Sequence, residues 1–403
     1  MTNPNIASPA FKRDPYPFYA RLRAEAPVCC ISVPGGHTAW LVTRYDDVVR
    51  VLKDDCFVKD RFKSLAPEHT TKLSWIPKAF MPLAHNMLDQ DPPDHTRLRA
   101  LVHKAFTPRL VEAMRVRVER LTNEMVDAAE RRGRMDLIGD YALPLPATII
   151  AEMLGIDPRD RHKFHHWSSE FVSTDFSKWR MALAFPSVLA FMRYVRKLIR
   201  RRRVKPGDDL ASALVCAEEA GNQLSEDELL AMIVLLLIAG HETTVNLIGN
   251  GMLALFSHPE QMERLRSDPA LIKSAVEELL RYDGPVETST ERFAREDVTV
   301  AEATIPAGAL VFAVLASANR DERQFKNPDT LDLGRENNNH LAFGFGAHYC
   351  LGAPLARLEA QIAINTLLRR CKNLRLAIPP EQVRWKRGMM LRGVTALPVA
   401  FTK

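Results

Sequence analysis

Helical periodicity over nearly half of the chain is the feature that most limits its fold. From about Leu98 to Leu280 the apolar positions recur at intervals of three and four, and strand-like runs are nearly absent. Stops that contain Pro or Gly divide this stretch at residues 107–108, 157–158, 206–207, 258–259 and 268–269. The stretch therefore predicts a succession of helices.

Strand-like runs are short and lie towards both ends of the sequence. Residues 28–32 and 39–43 flank a Pro-Gly-Gly turn and predict a hairpin; residues 297–316 form a second strand-rich patch, and residues 389–401 predict another hairpin. No repeat, low-complexity block or Gly/Ser-rich linker marks a boundary. We therefore expect one domain over residues 1–403, mainly α with small β-sheets.

The composition excludes several classes of protein. Hydrophobic residues make up 46% of the chain, which excludes a disordered chain, and six cysteines in 403 residues are too few for a disulfide framework. The first residues lack the features of a signal peptide. The longest nearly pure apolar run, residues 229–240, is shorter than the roughly 20 residues that a membrane span needs. We expect a cytoplasmic protein with no membrane partner.

The densest positive charge lies in residues 196–205, although the whole chain has a formal charge of only +6. The run fits a nucleic-acid contact, or a solvated helix end whose cations complement the helix dipole before the Pro206-Gly207 stop. We favour the helix end and expect no nucleic-acid partner, because no aromatic or Gly residues are interleaved with the cations.

Residues 343–352 form a glycine-rich loop that carries Cys350, and a helical pattern follows from Pro354. Half ionisation of an ordinary cysteine at pH 7 requires about 2 kcal/mol, which a helix N-terminus supplies only in favourable cases. A permanent thiolate therefore needs a further cation, such as a metal ion. On the cysteine alone we would favour a buried structural residue; the spacing of its neighbours favours a site.

That spacing, F-x-x-G-x-H-x-C-x-G, resembles the haem-binding loop of the cytochrome P450 family. It matches at Phe343, Gly346, His348, Cys350 and Gly352. The resemblance implies the cytochrome P450 fold, a helical prism around a buried haem b. It also implies that Cys350 is the axial thiolate ligand of the iron, with the other four residues around the haem. Such a thiolate donates electron density to the iron and favours O–O cleavage.

An acid and two alcohols interrupt an otherwise apolar predicted helix. Residues 239–244 read Ala-Gly-His-Glu-Thr-Thr, and a zinc-protease motif is excluded because the second His that it requires is a Val. A polar face that reaches solvent is the alternative. By resemblance this is the oxygen-activating segment of the family. Ala239 and Gly240 then leave room for O2, and Glu242 and Thr243 are catalytic residues that deliver protons through water.

Four basic residues match the haem-propionate ligands of the family, namely His95, Arg99, Arg292 and His348. His95 and Arg99 are four positions apart and so share one face of a helix. Buried carboxylates require cations, which gives these residues a physical reason to be there. Taken singly, each would more often be an exposed basic residue, but the four occur together at matching positions.

Glu278 and Arg281 have the i, i+3 spacing of a helical ion pair, which by itself contributes only about 0.2–0.5 kcal/mol. By resemblance they are the E-x-x-R pair that braces the chain near the haem loop. The usual third member is an Arg, and Thr330 stands where it is expected. Arg335 lies close by in the sequence and is a candidate substitute.

The reaction that the resemblance implies is monooxygenation of a hydrophobic small molecule by O2. Electrons from NAD(P)H are expected through an external ferredoxin and its reductase, because only about 50 residues follow Cys350. We expect a monomer, with an acidic ferredoxin docking on Arg97, Lys104, Arg109 and Arg357. The substrate pocket is expected to draw on residues 73–88, 171–176, 236–243, 286–291 and 389–390.

Two alternatives stay open at the level of the sequence. One is a haem-thiolate enzyme that uses peroxide or rearranges its substrate without O2, and the Glu242-Thr243 pair argues against it. The other is a non-catalytic haem sensor or carrier, in which the thiolate serves binding alone.

Overall fold

The computed structural model describes residues 4–33, 37–64, 66, 78–160, 178–219 and 221–403. Helices dominate this part of the chain, which confirms the predicted fold class. The α-helices are α1 Pro9–Arg13, α2 Tyr16–Glu25, α3 Tyr45–Lys53, α4 Arg61–Ser64, α5 Asp94–Ala105, α6 Pro108–Ala113, α7 Arg115–Glu130, α8 Pro144–Met153, α9 Lys178–Val204, α10 Leu210–Cys216, α11 Glu226–Ser257, α12 Pro259–Ser267, α13 Ile272–Asp283, α14 Leu315–Ala318 and α15 Ala353–Arg370.

The strands are short, as predicted. They are β1 Val28–Val33, β2 His37–Val42, β3 Phe57–Val58, β4 Arg134–Asp136, β5 Glu218–Glu219, β6 Asn222–Gln223, β7 Arg292–Ala294, β8 Val298–Val300, β9 Ala303–Ile305, β10 Leu310–Ala313, β11 Lys372–Leu376 and β12 Pro398–Thr402. A five-stranded sheet has the order β1-β2-β10-β7-β3, and a three-stranded sheet has the order β11-β12-β4.

The two predicted hairpins have different outcomes. β1 and β2 pair antiparallel, so the first hairpin is present. The hairpin predicted within residues 389–401 is wrong, because β12 pairs with β11 and β4. Alternating apolar residues indicate a strand and its buried face, but they do not identify the strand beside it.

The chain divides into two compact units. The first unit comprises residues 1–72, 119–142 and 243–403, and the second comprises residues 73–118 and 143–242. The division falls inside α11, between Glu242 and Thr243. The single domain over residues 1–403 stays a prediction.

In the first unit, α3 packs on the five-stranded sheet. Val48, Val51 and Leu52 have helical spacing, are buried, and share a hydrophobic core with Val311 of β10. Burial of each such side chain contributes about 1.5–3 kcal/mol. This packing fixes the C-terminal end of α3, which lies beside predicted haem-binding residues.

In the second unit, the start of α11 is encoded locally. Ser225 Oγ accepts a hydrogen bond from the Glu228 N–H at 3.2 Å, and Glu228 Oε2 accepts one from the Ser225 N–H at 2.8 Å. This reciprocal pair is a capping box, and such N-terminal caps contribute about 1 kcal/mol. Glu226 and Asp227 add negative charge to the first turn, which complements the helix dipole.

The basic run of residues 196–205 ends α9, and some of its charge is offset within the second unit. Arg196 pairs with Asp227 at 3.3 Å, and Arg202 pairs with Asp209 at 2.6 Å. These contacts agree with the interpretation of the run as a solvated helix end.

Among the described helices, α11 alone is long and apolar enough to cross a membrane, with a mean hydropathy of 1.7 over its most apolar window. Inside the protein, however, 72% of that window is buried. Burial of this kind is typical of a core helix.

Candidate active site

One face of α11 is accessible in the segment that the sequence singles out. Ala239 is exposed, and Gly240 and Thr243 are half-buried, whereas Leu237 and Thr244 are buried. Ala239 and Thr243 are four positions apart and therefore lie on the same side of the helix. The small side chains at 239 and 240 keep this face open.

The other two polar residues of the segment are buried, with His241 2% exposed and Glu242 8% exposed. His241 Nδ1 donates a hydrogen bond to the Leu237 carbonyl at 2.8 Å, one turn earlier in the helix. The imidazole is thus turned onto its own helix. The acid and the alcohol that follows it occupy adjacent positions, the acid buried and the alcohol half-buried.

Cys350 lies at the end of a tightly turned loop. Its backbone N–H donates to the Phe343 carbonyl at 2.9 Å. Gly344 and Gly346 both have a φ of 73°, a left-handed conformation that favours glycine. An added Cβ at Gly346 would lie 3.1 Å from the Leu52 carbonyl oxygen. A larger residue there would therefore be strained and would crowd the end of α3.

The loop delivers the cysteine to the N-terminus of α15, as the sequence predicts. α15 begins at Ala353 and has Pro354 in its first turn. Cys350 is half-buried and precedes this N-terminus, where the helix dipole favours a negative sulfur. An added Cβ at Gly352 would lie 3.9 Å from Cys350 Sγ, so the glycine leaves the space beside the sulfur open.

The donor set at this loop fits a haem iron. Within the described residues, no group of three or more His, Cys, Asp or Glu side chains is arranged to hold a metal ion. An iron porphyrin brings its own nitrogen ligands and needs only an axial donor such as a thiolate.

Arg292, the first residue of β7, lies near the same loop. Its side chain is almost completely buried and donates to the Phe57 carbonyl at 3.1 Å and to the Leu52 carbonyl at 3.4 Å. The Leu52 carbonyl is also the group that faces Gly346. The structure therefore brings Arg292 and the Cys350 loop together at the C-terminal end of α3.

The other predicted propionate ligands lie on two different elements. His348 is half-buried and ends the one-turn 3-10 helix Gly346–His348 in the cysteine loop. His95 is buried and Arg99 is half-buried, four positions apart on α5 in the second unit. That all four bind haem propionates stays a prediction.

Glu278 is fully buried and binds two arginines. Arg281 Nε lies 2.7 Å from Glu278 Oε2 and its Nη2 lies 2.8 Å from Oε1, while Arg335 Nε lies 3.0 Å from Oε2. Thr330 contributes its backbone carbonyl, which accepts from Arg281 and from Arg335 at 3.1 Å each. Arg335 therefore supplies the guanidinium that the sequence lacks at position 330.

Two of the four cations predicted to dock a ferredoxin are already in intramolecular ion pairs. Arg97 binds Glu228, and Arg357 binds Glu277 through two hydrogen bonds of 2.7 and 2.8 Å. These carboxylates offset the charge of both guanidinium groups. Docking on the four cations stays a prediction.

Two of the predicted pocket segments are adjacent. The Glu287 N–H donates to the Met390 carbonyl at 2.8 Å. Lys12 Nζ, which is fully buried, donates to Glu287 Oε2 at 2.6 Å and to the Met389 carbonyl at 3.3 Å, so a lysine of α1 connects both segments. The sequence carries no signal for this contact, because 275 positions separate Lys12 from Glu287. Two predicted stretches lie outside the described residues, namely 73–77 and 171–176.

The chain is similar to known proteins over nearly its full length. A family model described as Cytochrome P450 matches residues 164–392. The cytochrome P450 monooxygenase PikC of Streptomyces venezuelae is 46% identical over 396 residues, which cover 98% of this chain and 92% of PikC. The chain belongs to the cytochrome P450 family.

Solved cytochrome P450 structures confirm the predicted fold. The cytochrome P450 PksS of the Bacillus subtilis 168 bacillaene polyketide synthase has a TM-score of 0.92 and 41% identity, with 100% of both chains covered. The myxobacterial cytochrome P450 CYP267B1, solved in complex with myristic acid, has a TM-score of 0.92 and 43% identity, with 99% of both chains covered.

Family membership also confirms the predicted class and cofactor. The protein is an enzyme of the cytochrome P450 monooxygenase class, an oxidoreductase. Its cofactor is haem b, which works with O2 and with electrons from NAD(P)H. A non-catalytic haem sensor is therefore set aside.

Proposed function

We propose that this cytochrome P450 inserts one oxygen atom from O2 into a hydrophobic small molecule, by hydroxylation or epoxidation. The observation that carries the proposal is the position of the Cys350 sulfur, which a loop with two left-handed glycines holds just before a helix N-terminus. Electrons arrive through an external ferredoxin and ferredoxin reductase. The chain acts as a monomeric, cytoplasmic protein in which residues 1–403 form one domain.

The haem, when bound, supplies the oxidation chemistry, and the protein binds and orients it. Cys350 would bind the haem iron through its sulfur, and Phe343, Gly346 and Gly352 of the same loop would lie around the haem. The propionates are bound by the basic side chains of His95, Arg99, Arg292 and His348. Glu278 and Arg281, together with Arg335, stabilise the segment of chain that precedes the cysteine loop.

Glu242 and Thr243 hold and deliver the protons that the reaction consumes. Glu242 is shielded from solvent, whereas Thr243 is half-buried and lies on the accessible face of α11 with Ala239 and Gly240. The acid and the alcohol are thus consecutive along α11, and together they relay protons to the open face. Positioned acids and bases of this kind accelerate reactions by about 10²–10⁴-fold.

The substrate is a long apolar molecule, such as a polyketide or a fatty acyl chain. Similar proteins support this class, since PksS belongs to a polyketide synthase system and CYP267B1 binds myristic acid. The adjacent segments 286–291 and 389–390 include Met389 and Met390, whose flexible side chains adapt to irregular apolar surfaces.

Replacing Cys350 by Ala should abolish the haem-thiolate spectrum. The wild-type protein, reduced and exposed to carbon monoxide, should absorb at about 450 nm, because the axial thiolate raises electron density on the iron. Absorption spectra of purified, haem-loaded proteins check this. Cys216→Ala, which removes an exposed cysteine outside the loop, is the control and should keep the band. An unaltered spectrum in Cys350→Ala would contradict the proposal.

Replacing Thr243 by Ala should uncouple O2 consumption from product formation. We expect product per O2 consumed to fall at least about tenfold, with peroxide released, because the hydroxyl no longer delivers a proton. The measurement compares NADPH, O2, peroxide and product, with added redox partners and with myristic acid as the probe substrate.

Thr244→Ala is the matched control, since Thr244 is buried beside Thr243 and away from the open face. Coupling in this variant should stay close to the wild type. Unchanged coupling in Thr243→Ala would favour an enzyme that uses peroxide or needs no O2.

A further inference from the structure

A carboxylate of α13 binds two side chains that flank the Cys350 loop. Glu277 Oε1 accepts from Arg357 Nε at 2.7 Å, and Oε2 accepts from Arg357 Nη2 at 2.8 Å and from His340 Nε2 at 3.0 Å. Burial opposes ionisation of this carboxyl, but the hydrogen bonds from His340 and Arg357 outweigh it and lower the pKa of Glu277 to about 2. The group is therefore an anion at neutral pH.

His340 is fixed from both sides of its ring. The Ala342 N–H donates to His340 Nδ1 at 3.2 Å, so the ring proton is on Nε2, which donates to Glu277. These two hydrogen bonds set the orientation of the imidazole and the path of the backbone directly before Phe343. Glu277 thus acts on the first end of the loop.

Arg357 contacts both ends of the loop. Its guanidinium carbon lies 4.5 Å from the centroid of the Phe343 ring, and Nη1 donates to the Tyr349 hydroxyl at 3.2 Å. The Phe343 and Tyr349 rings meet edge to face at 6.3 Å. The Phe343 carbonyl in turn accepts the backbone N–H of Cys350. Because Glu277 binds two N–H groups along one edge of the guanidinium, it fixes the plane that stacks on Phe343.

We propose that Glu277 is a positioning residue for the thiolate ligand. Together with His340 and Arg357, it holds the two ends of the Cys350 loop in the arrangement that haem ligation needs. The proposal rests on the proposed function, since it requires Cys350 to be the axial ligand. The physical reason is that the loop is a turn between elements, with few regular backbone hydrogen bonds of its own, so neighbouring side chains determine its conformation.

The test is Glu277→Gln, which removes the charge and keeps the shape. We expect the variant to fold and to form the carbon-monoxide band near 450 nm. In mild denaturant the variant should convert from the 450 nm form to a shorter-wavelength form about tenfold faster than the wild type. The reason is that the charge-assisted, bidentate contact between Glu277 and Arg357 is lost. Absorption reports the band over time, and far-UV circular dichroism reports global unfolding.

The matched control is Glu152→Gln. Arg117 and Glu152 form a bidentate pair of the same kind, with two hydrogen bonds of 2.8 Å. Their side chains are 22% and 19% exposed, and those of Arg357 and Glu277 are 30% and 28% exposed. This pair belongs to the second unit, whereas Cys350 belongs to the first. The control should lose the band at the rate of the wild type.

The outcomes separate the inference from the proposed function. Equal rates in Glu277→Gln and Glu152→Gln, or band loss that only parallels circular dichroism, would overturn the positioning role. A wild-type protein with no band near 450 nm would overturn the proposed function instead.

If Glu277→Gln does not fold, Arg357→Lys replaces it, since lysine keeps the positive charge but lacks the planar guanidinium that binds a carboxylate in a bidentate manner. Arg357→Lys should also lose the band faster, and a rate equal to that of the control would overturn the inference.

Discussion

Replacing Glu278 by Gln should lower the free energy of unfolding by about 3–5 kcal/mol, because it leaves buried guanidinium groups without their anion. Glu278 and Arg281 are fully buried side chains, and Arg335 is 11% exposed. The carboxylate also accepts the Asp332 N–H at 3.0 Å, so its loss weakens the chain between α14 and the cysteine loop. Denaturant unfolding of the haem-loaded protein, followed by circular dichroism, measures the effect.

Glu263→Gln is the matched control for this prediction. Glu263 forms an ion pair with Arg266 at the same i, i+3 spacing, but its side chain is 62% exposed. Its loss should change the free energy of unfolding by less than about 1 kcal/mol. Thr330→Ala should also be nearly neutral, because Thr330 acts through its backbone carbonyl. Equal losses in Glu278→Gln and Glu263→Gln would contradict the prediction.

Local features of the fold were predictable from the sequence, and long-range partners were not. Helical spacing between residues 98 and 280 indicated the helices, and a turn between two short runs indicated the β1-β2 hairpin, because both depend on neighbours in the chain. The partners of β12 come from residues 134–136 and 372–376. Nothing within residues 389–401 encodes that choice.

The site shows the same division between local and distant information. The cysteine loop was predictable because its glycines, its histidine and Cys350 lie within ten residues. The replacement of the missing arginine by Arg335 was not predictable, because a long guanidinium side chain can reach Glu278 from more than one backbone position. Nor could the sequence indicate that Arg97 and Arg357 are paired, since their partners lie 131 and 80 positions away.

Burial of single charged residues is equally hard to predict. Glu359 lies on α15 two positions after Arg357, in a helix that also carries half-buried polar residues and the exposed Arg369. The structure buries it to 1% exposure, and this burial raises the pKa of its carboxyl well above the usual value. Whether this glutamate is buried or solvated depends on the packing around the helix, and the sequence alone does not reveal that packing.

Replacing Lys12 by Met should lower the free energy of unfolding by about 3–5 kcal/mol, because it leaves the Glu287 carboxylate buried without its cation. Both side chains are fully buried, and Tyr19 also donates its hydroxyl to Glu287. The change should also weaken substrate binding, since Lys12 joins the segments around Glu287 and Met389. Denaturant unfolding and the spectral titration of myristic acid measure the two effects.

The double variant Lys12→Met with Glu287→Gln distinguishes an unpaired charge from a packing defect. Burial outweighs the attraction of Glu287 and lowers the pKa of Lys12, so the ammonium group is costly to bury even beside its partner. A neutral pair of similar volume should therefore recover most of the lost stability, although each single variant is strongly destabilised. If the double variant is instead as unstable as the sum of the two singles, then packing rather than charge explains the loss. Glu124→Gln, which removes the exposed partner of the similarly exposed Arg120, should leave stability nearly unchanged.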